Sequence, residues 1–320
     1  MKRCLNSWDL TWVGFGASIG AGIFVLTSQE AHYDAGPAIV VSYLAAGFST
    51  MVGVFIYMEF AVEIPVAGGS FAFLRVELGD FAAFMAAANL LLDQMLGNAT
   101  VAKAWTSYLT TLLNRPPNSL LIHTNLKQGY NLLDPIAITV ITITSAIAIT
   151  STKKTSLPNW IASAVNRVVI LFVIIAGLAH AKTSNLTLFM PFGVKGVFQG
   201  AAFSHGGFNA IATLAEETKK PSRDIPVELL GSMSVTIVIY CLMALSLSMM
   251  QKFTENQGHY IYSVAFESVW MNWAKYFVAF GAPKGMITVL LMATLQQSRY
   301  CWEKLPKTPR IFFPPCANSE

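Results

Sequence analysis

The sequence predicts an all-α integral membrane protein with about eight transmembrane helices, and three observations support this fold class. Hydrophobic residues make up 54% of the 320 residues. Charged residues make up only 12%, whereas a typical soluble domain has about 25%. The mean hydropathy is +0.53, and apolar segments of about 20 residues, the length that crosses a bilayer, recur along the chain. A net charge of +4 gives no indication of nucleic-acid binding.

The predicted helices follow one another with short connections. Candidate spans lie near residues 11–32, 37–60, 80–110, 131–151, 160–181, 196–217, 227–250 and 274–298. The glycine-rich segment near 65–79 is too short to cross a bilayer, so we expect a re-entrant or interfacial segment there. Most Lys and Arg residues of the short loops fall on one side of this arrangement, and that bias predicts a cytoplasmic N-terminus.

The first predicted span contains a run of glycines, "GFGASIGAGIF" at 14–24. Gly16 to Gly20 fit the GxSxG elbow of serine hydrolases, but that elbow requires a strand before it. The same residues fit GxxxG, a close-packing seam between membrane helices. A third interpretation is an interrupted helix, which is tolerated at membrane depth only where the backbone is buried in protein or lines a cavity.

A second interruption favours the third interpretation. The sixth span contains "FSHGGFNA" at 203–210, which has two adjacent glycines. Two interrupted helices at corresponding positions of a repeated fold indicate a transporter site near the middle of the membrane. A helix N-terminus there favours an anion such as a carboxylate, and freed carbonyl groups can accept from an ammonium. The pattern therefore suits a zwitterionic amino acid.

Three longer stretches resemble a known family. They are "GASIGAGIFVLTSQEAHYDAGPAIVVSYLAAG", "YMEFAVEIPVAGGSFAFLRVELGDFAAF" and "AEETKKPSRDIP". They are similar to the amino acid–polyamine–organocation (APC) superfamily and, more narrowly, to its plant cationic amino acid transporters. The resemblance implies an APC-type inverted-repeat bundle with substrate held between the first and sixth helices. Residues 1–181 would form the first five-helix repeat, 182–300 an incomplete second repeat, and 301–320 a divergent tail.

The resemblance also implies the site residues. Substrate contacts would come from the first helix at Ile19, Gly20, Ala21 and Gly22, and from the sixth at Phe203, Ser204 and Gly206. The candidates for gating or coupling are Phe203, Asn209, Glu216, Glu217 and Arg223. For Phe203, ordinary helix packing is the alternative. No metal site and no cofactor are expected. Cys4, Cys241, Cys301 and Cys316 show no CxxC or Cys/His ligand spacing, so buried structural thiols are the default interpretation.

Asp93 is a lone acid inside the third predicted span. A carboxylate near the centre of a span costs about 2.5–3.5 kcal/mol on insertion scales, so it should face a partner or a cavity. It matches a position where relatives carry an acid that faces the central cavity. Asp93 is therefore expected to bind substrate or a proton, and a structural hydrogen bond is the alternative.

Two departures from the family pattern bear on function. Relatives carry an acid at the position of Asn209, and some carry a proton-linked lysine in the fifth span, where this sequence has none. Family members have twelve or more spans, so a chain of eight is expected to be C-terminally truncated.

The sequence thus predicts a secondary transporter rather than an enzyme, and the alternative is a non-transporting truncated paralogue that associates with full-length relatives. An intramembrane hydrolase rests on GxSxG alone.

The expected transport activity is uptake of amino acids, cationic ones such as lysine and arginine, coupled to protons as a symport by alternating access. The partners are therefore the amino acid, protons and the lipid bilayer, without nucleic acid. The expected location is the plasma membrane, with the vacuole or another endomembrane as alternatives.

Overall fold

The fold is a bundle of α-helices in the computed structural model of the chain. The structure describes residue 19 and residues 22–63, 70–115, 119–125, 131–150, 152–186, 188–202, 221–252 and 261–304. Within these ranges the helices are α1 (Gly22–Tyr33), α2 (Ile39–Glu63), α3 (Ser70–Leu78), α4 (Asp80–Leu112), α5 (Pro135–Thr150), α6 (Thr152–Ala179), α7 (Gly193–Ala202), α8 (Pro221–Met250), α9 (Ile261–Ser268) and α10 (Asn272–Lys304). Short 3-10 turns occupy Gly36–Ala38 and Thr183–Leu186.

A small β-hairpin lies between α4 and α5. Its strands are β1 (Ile122–His123) and β2 (Leu132–Leu133), which pair antiparallel with Ile122 opposite Leu133. Every predicted span overlaps a helix, whereas the hairpin and α9 had no counterpart in the sequence-based prediction. Part of the predicted re-entrant segment is the separate short helix α3, and residues 64–69 lie outside the described part of the chain.

In the part of the chain that the structure describes, two stretches of helix are long and apolar enough to cross a membrane by length and composition. They are Gly36–Phe60 and Ile225–Met250, each with a mean hydropathy of 2.0. Two shorter apolar stretches, Pro135–Ala148 and Ala164–Ala179, lie in α5 and α6. The all-α architecture of a membrane protein is supported in this coarser form, and the count of eight spans and the inverted repeat stay predictions.

The largest of the buried side-chain clusters in the described residues lies around α1. Phe24 of α1 meets the ring of Tyr262 edge-on at a centroid distance of 5.9 Å, and the hydroxyl of Tyr108 donates to the carbonyl of Phe24 at 3.4 Å. Residues of this cluster come from α1, α2, α4, α6, α8, α9 and α10. Helix α1 is thus enclosed by other helices, and this arrangement places its N-terminal end inside the protein.

Close backbone approach fixes the position of α7 beside the start of α2. A Cβ atom added at Gly196 of α7 would overlap the backbone carbonyl oxygen of Asp34. A backbone atom cannot rotate away as a side chain can, so a larger residue must push α7 outward. The glycine at this position is therefore required by packing.

Gly196→Ala is expected to lower stability by about 1–3 kcal/mol, the usual range for overpacking. Thermal unfolding in detergent, followed by intrinsic fluorescence, should show a lower melting temperature. Gly231→Ala is the matched control, because a Cβ atom there meets no atom within 4 Å and alanine is the better helix former. Equal melting temperatures for the two variants would contradict the close approach at Asp34.

Candidate functional site

The candidate site lies where the chain enters α1. Ile19 is in a bend rather than in a helix, and α1 begins three residues later at Gly22. Gly20 and Ala21 lie outside the described residues. The first N–H groups of a helix have no carbonyl partner within it, and the positive end of the helix dipole adds to their attraction for an anion. The start of α1 therefore presents donors toward the interior of the protein.

Asn166 of α6 contacts the chain just before α1. Its side-chain Nδ2 donates to the carbonyl oxygen of Ile19 at 3.4 Å. Ile19 is 3% exposed and Asn166 is 8% exposed, so this hydrogen bond is shielded from solvent and lipid. A carbonyl oxygen has two lone pairs, so Ile19 retains the capacity to accept from a second donor, such as a substrate ammonium.

Helix α10 packs against Asn166 at Gly285. A Cβ atom at Gly285 would lie 2.7 Å from both Cγ and Oδ1 of Asn166, so only glycine lets α10 approach this closely. The Oδ1 atom itself is buried without a hydrogen-bond partner within the described ranges. A buried amide oxygen without a partner carries a desolvation penalty, and it marks a place where a bound donor would be stabilised.

Most of the site residues expected in the sixth predicted span, 196–217, cannot be compared with the structure. Helix α7 ends at Ala202, and α8 begins at Pro221. Those that lie outside the described residues are Phe203, Ser204, Gly206, Asn209, Glu216 and Glu217. Arg223 lies in the first turn of α8. The roles expected for all these residues stay predictions.

Asp93 lies on an exposed face of α4, as does Lys103 further along the same helix. Of the expected substrate contacts, the structure therefore describes Ile19 and Gly22 together at the start of α1, and Asp93 on the outside of α4. The expected role of Asp93 in binding stays a prediction.

Two buried polar residues were missed by reasoning from the sequence. Asn166 has no local motif that marks it, because its importance comes from the contact with Ile19, 147 positions away. Glu30 did carry a signal: it is an acid inside the predicted span 11–32, the same feature that drew attention to Asp93. It is 3% exposed in α1.

Comparison with known proteins assigns the family. Residues 5–304 match the family described as amino acid permease. The chain is 67% identical over 303 residues to cationic amino acid transporter 5 of Arabidopsis thaliana, and the match covers 94% of this chain and 53% of that protein. It is 51% identical to the vacuolar cationic amino acid transporter 8 of the same plant, covering 94% and 52%.

A bacterial protein is more distantly similar. The methylthioribose transporter of Bacillus subtilis (strain 168) is 32% identical over 320 residues, which cover 93% of this chain and 66% of that protein. The chain spans about half the length of the plant relatives it matches. All three are transporters by name rather than enzymes. Because the family match extends over nearly the whole sequence, the chain belongs to the amino acid permease family, whose members are integral membrane transporters.

Proposed function

We propose that this permease carries amino acids across a membrane by alternating access, that its substrates are cationic amino acids such as lysine and arginine, and that transport is coupled to protons. The names of its plant relatives support the substrate class. The bacterial relative is named for a different solute, methylthioribose. The substrate class must therefore be tested directly.

The observation that carries the proposal is the entry of the chain into α1. The bend at Ile19 is followed closely by the start of α1 at Gly22. The first N–H groups of a helix have no carbonyl partner within that helix, so donors and the carbonyl acceptor of Ile19 would lie a few residues apart. An α-amino acid needs both, because its carboxylate accepts hydrogen bonds and its ammonium donates them. In the proposed complex, the N–H groups around Ala21 and Gly22 hold the carboxylate, and the Ile19 carbonyl receives the ammonium.

The remaining site residues complete the proposal. The sixth predicted span would close over the substrate with Phe203, Ser204 and Gly206. Asp93 would bind the cationic side chain or a proton. Asn209, Glu216, Glu217 and Arg223 would take part in gating or coupling. The first five-helix repeat would be 1–181 and the incomplete second repeat 182–300. The N-terminus would lie in the cytoplasm and the chain in the plasma membrane or an endomembrane.

Uptake into liposomes tests the proposed function. We expect purified full-length chain, reconstituted into liposomes with an acidic exterior, to accumulate radiolabelled lysine or arginine above protein-free liposomes. Excess unlabelled arginine should compete more strongly than leucine or methylthioribose. No uptake by correctly inserted protein would reject the proposal for this chain. Uptake that appears only when a full-length relative is reconstituted with it would instead support the associating-subunit hypothesis.

A further inference from the structure

Glu30 is a buried acid that the substrate site does not use. It lies in the last turn of α1, which ends at Tyr33, and it is 3% exposed. The start of the same helix, at Gly22, contains the proposed substrate contacts. Glu30 is therefore separated from the substrate site by about two turns of one helix.

Tyrosine and threonine side chains surround this part of α1. Thr27, one turn before Glu30, is fully buried and accepts a hydrogen bond from the hydroxyl of Tyr43 of α2 at 2.7 Å. The ring of Tyr43 meets the ring of Tyr240 of α8 edge-on at 5.3 Å. Tyr262 of α9 is also fully buried. Helices α2 and α8 thus place hydroxyl-bearing aromatic rings beside Glu30, and Tyr262 of α9 belongs to the same buried cluster.

Among the residues that the structure describes, no cation is found opposite the carboxyl group of Glu30. Within the described ranges, neither of its oxygens has a partner at normal hydrogen-bond geometry, although the Tyr43 hydroxyl lies close enough to interact with the carboxyl group. The groups that interact electrostatically with the carboxyl are Tyr43, Tyr240 and Asp34. Two of these are neutral phenols and the third is another acid, so none of them compensates a negative charge.

Among the described residues, the ionisable side chains buried in the core cluster around α1 are also tyrosines. Besides Tyr43, Tyr240 and Tyr262, α4 contributes Tyr108, and the 3-10 turn Gly36–Ala38 contributes none. The charged residues Asp93 and Lys103 of α4 and Glu267 of α9 are exposed, and the buried Glu228 of α8 lies outside this cluster. The basic residue of α1 is His32, whose ring packs edge-on against Tyr33 at 4.5 Å. Residues two positions apart on a helix do not face each other, so His32 is directed away from Glu30.

These surroundings favour the neutral acid over the carboxylate. Moving a carboxylate out of water without a cation is far more costly than moving a neutral acid, and a group in this position takes up a proton instead. The negative end of the α1 dipole acts in the same direction. Within the described residues, no group of three or more His, Cys, Asp or Glu side chains could hold a metal ion. A proton needs no such set of ligands.

We propose that Glu30 is a proton-binding site of this permease, which holds its proton while α1 is packed against Tyr43 and Tyr240. When α1 moves apart from these rings, the carboxyl O–H bond breaks, the proton passes to water as hydronium, and the carboxylate remains. The reverse step reprotonates it before α1 packs again. This proposal rests on proton-coupled transport, and it assigns the proton to α1 instead of to a lysine in the fifth span.

Infrared spectroscopy tests the proton independently of transport. The full chain in detergent or lipid at neutral pH should show the C=O stretching band of a protonated carboxyl group. Glu30→Gln, which keeps the size of the side chain, should lose intensity in this band, while Glu77→Gln on exposed α3 should keep it. Glu30→Met gives a second neutral variant if the amide impairs folding. An unchanged band in the Glu30 variants overturns the proposal, whether or not the chain transports.

Transport measurements test the coupling. We expect lysine uptake by the unmodified chain to be stimulated by an inward proton gradient and this stimulation to be lost in Glu30→Gln. Exchange of internal for external lysine without a gradient should persist in the variant, because the substrate contacts are intact. Gradient stimulation equal to that of the unmodified chain overturns the proposal. If the unmodified chain shows no uptake at all, the result counts against the proposed function. The infrared measurement then tests by itself whether Glu30 binds a proton.

Discussion

Asn166→Leu is expected to remove most transport activity while leaving the chain folded. Leucine has nearly the same shape as asparagine, so α6 and α10 can keep their close approach at Gly285. It has no donor, however, and the carbonyl of Ile19 loses its hydrogen bond from Nδ2. Leaving a buried carbonyl unpaired costs about 1–3 kcal/mol. If this free energy destabilises the conformation that binds substrate, the rate of uptake decreases by about tenfold or more.

The matched control for this variant is Asn185→Leu. The side chain of Asn185 also donates to a backbone carbonyl, that of Met249 at 2.8 Å, but it belongs to the 3-10 turn Thr183–Leu186 and not to the entry of α1. The control should retain uptake. Initial rates of lysine uptake at equal protein content provide the measurement. Similar rates for both variants would show that the hydrogen bond to Ile19 has no special role in transport.

Phe266→Ala is expected to have the largest effect on stability. Phe266 of α9 is fully buried, and its ring stacks on Phe172 of α6 at a centroid distance of 5.6 Å. Replacing a buried phenylalanine with alanine costs about 3–5 kcal/mol in soluble proteins. Lipid tails are as apolar as a protein core, so here the loss comes from packing contacts more than from transfer out of water. We therefore expect a loss of about 3 kcal/mol, at the lower end of that range.

The control is the same substitution on the outer surface of α2. Phe48 is 76% exposed, so Phe48→Ala leaves no cavity and should change the melting temperature little. Thermal unfolding of both variants in the same detergent makes the comparison. If Phe48→Ala were as destabilising as Phe266→Ala, the cavity explanation would be wrong.

The sequence predicted the structure best where the hydropathy of a single segment was enough to predict a helix. Long apolar stretches predicted helices, and among the described residues a helix overlaps each of those stretches. The boundaries were less accurate: α6 begins at Thr152 instead of near 160, and α8 at Pro221 instead of near 227. Both helices begin with polar or charged residues, which a hydropathy window leaves out although they continue the same helix.

Contacts between distant segments could not be predicted from the sequence. Asn166 was not recognised, because nothing in "SAVNRVV" indicates that its amide meets Ile19. Glu30 appeared in the stretch that carries the family resemblance, but its surroundings depend on tyrosines from α2 and α8. Asp93 gave the same sequence signal as Glu30, yet it lies on an exposed helix face while Glu30 is enclosed.

By itself, the sequence determined that the chain is helical, apolar and similar to amino acid permeases, because hydropathy and motifs are properties of neighbouring residues. The tertiary structure decided which polar groups are buried and what they face, as it did for Ile19, Asn166 and Glu30. The physical reason is that the energy of a polar group in a membrane protein depends on its partners. Those partners come from helices far apart in the sequence.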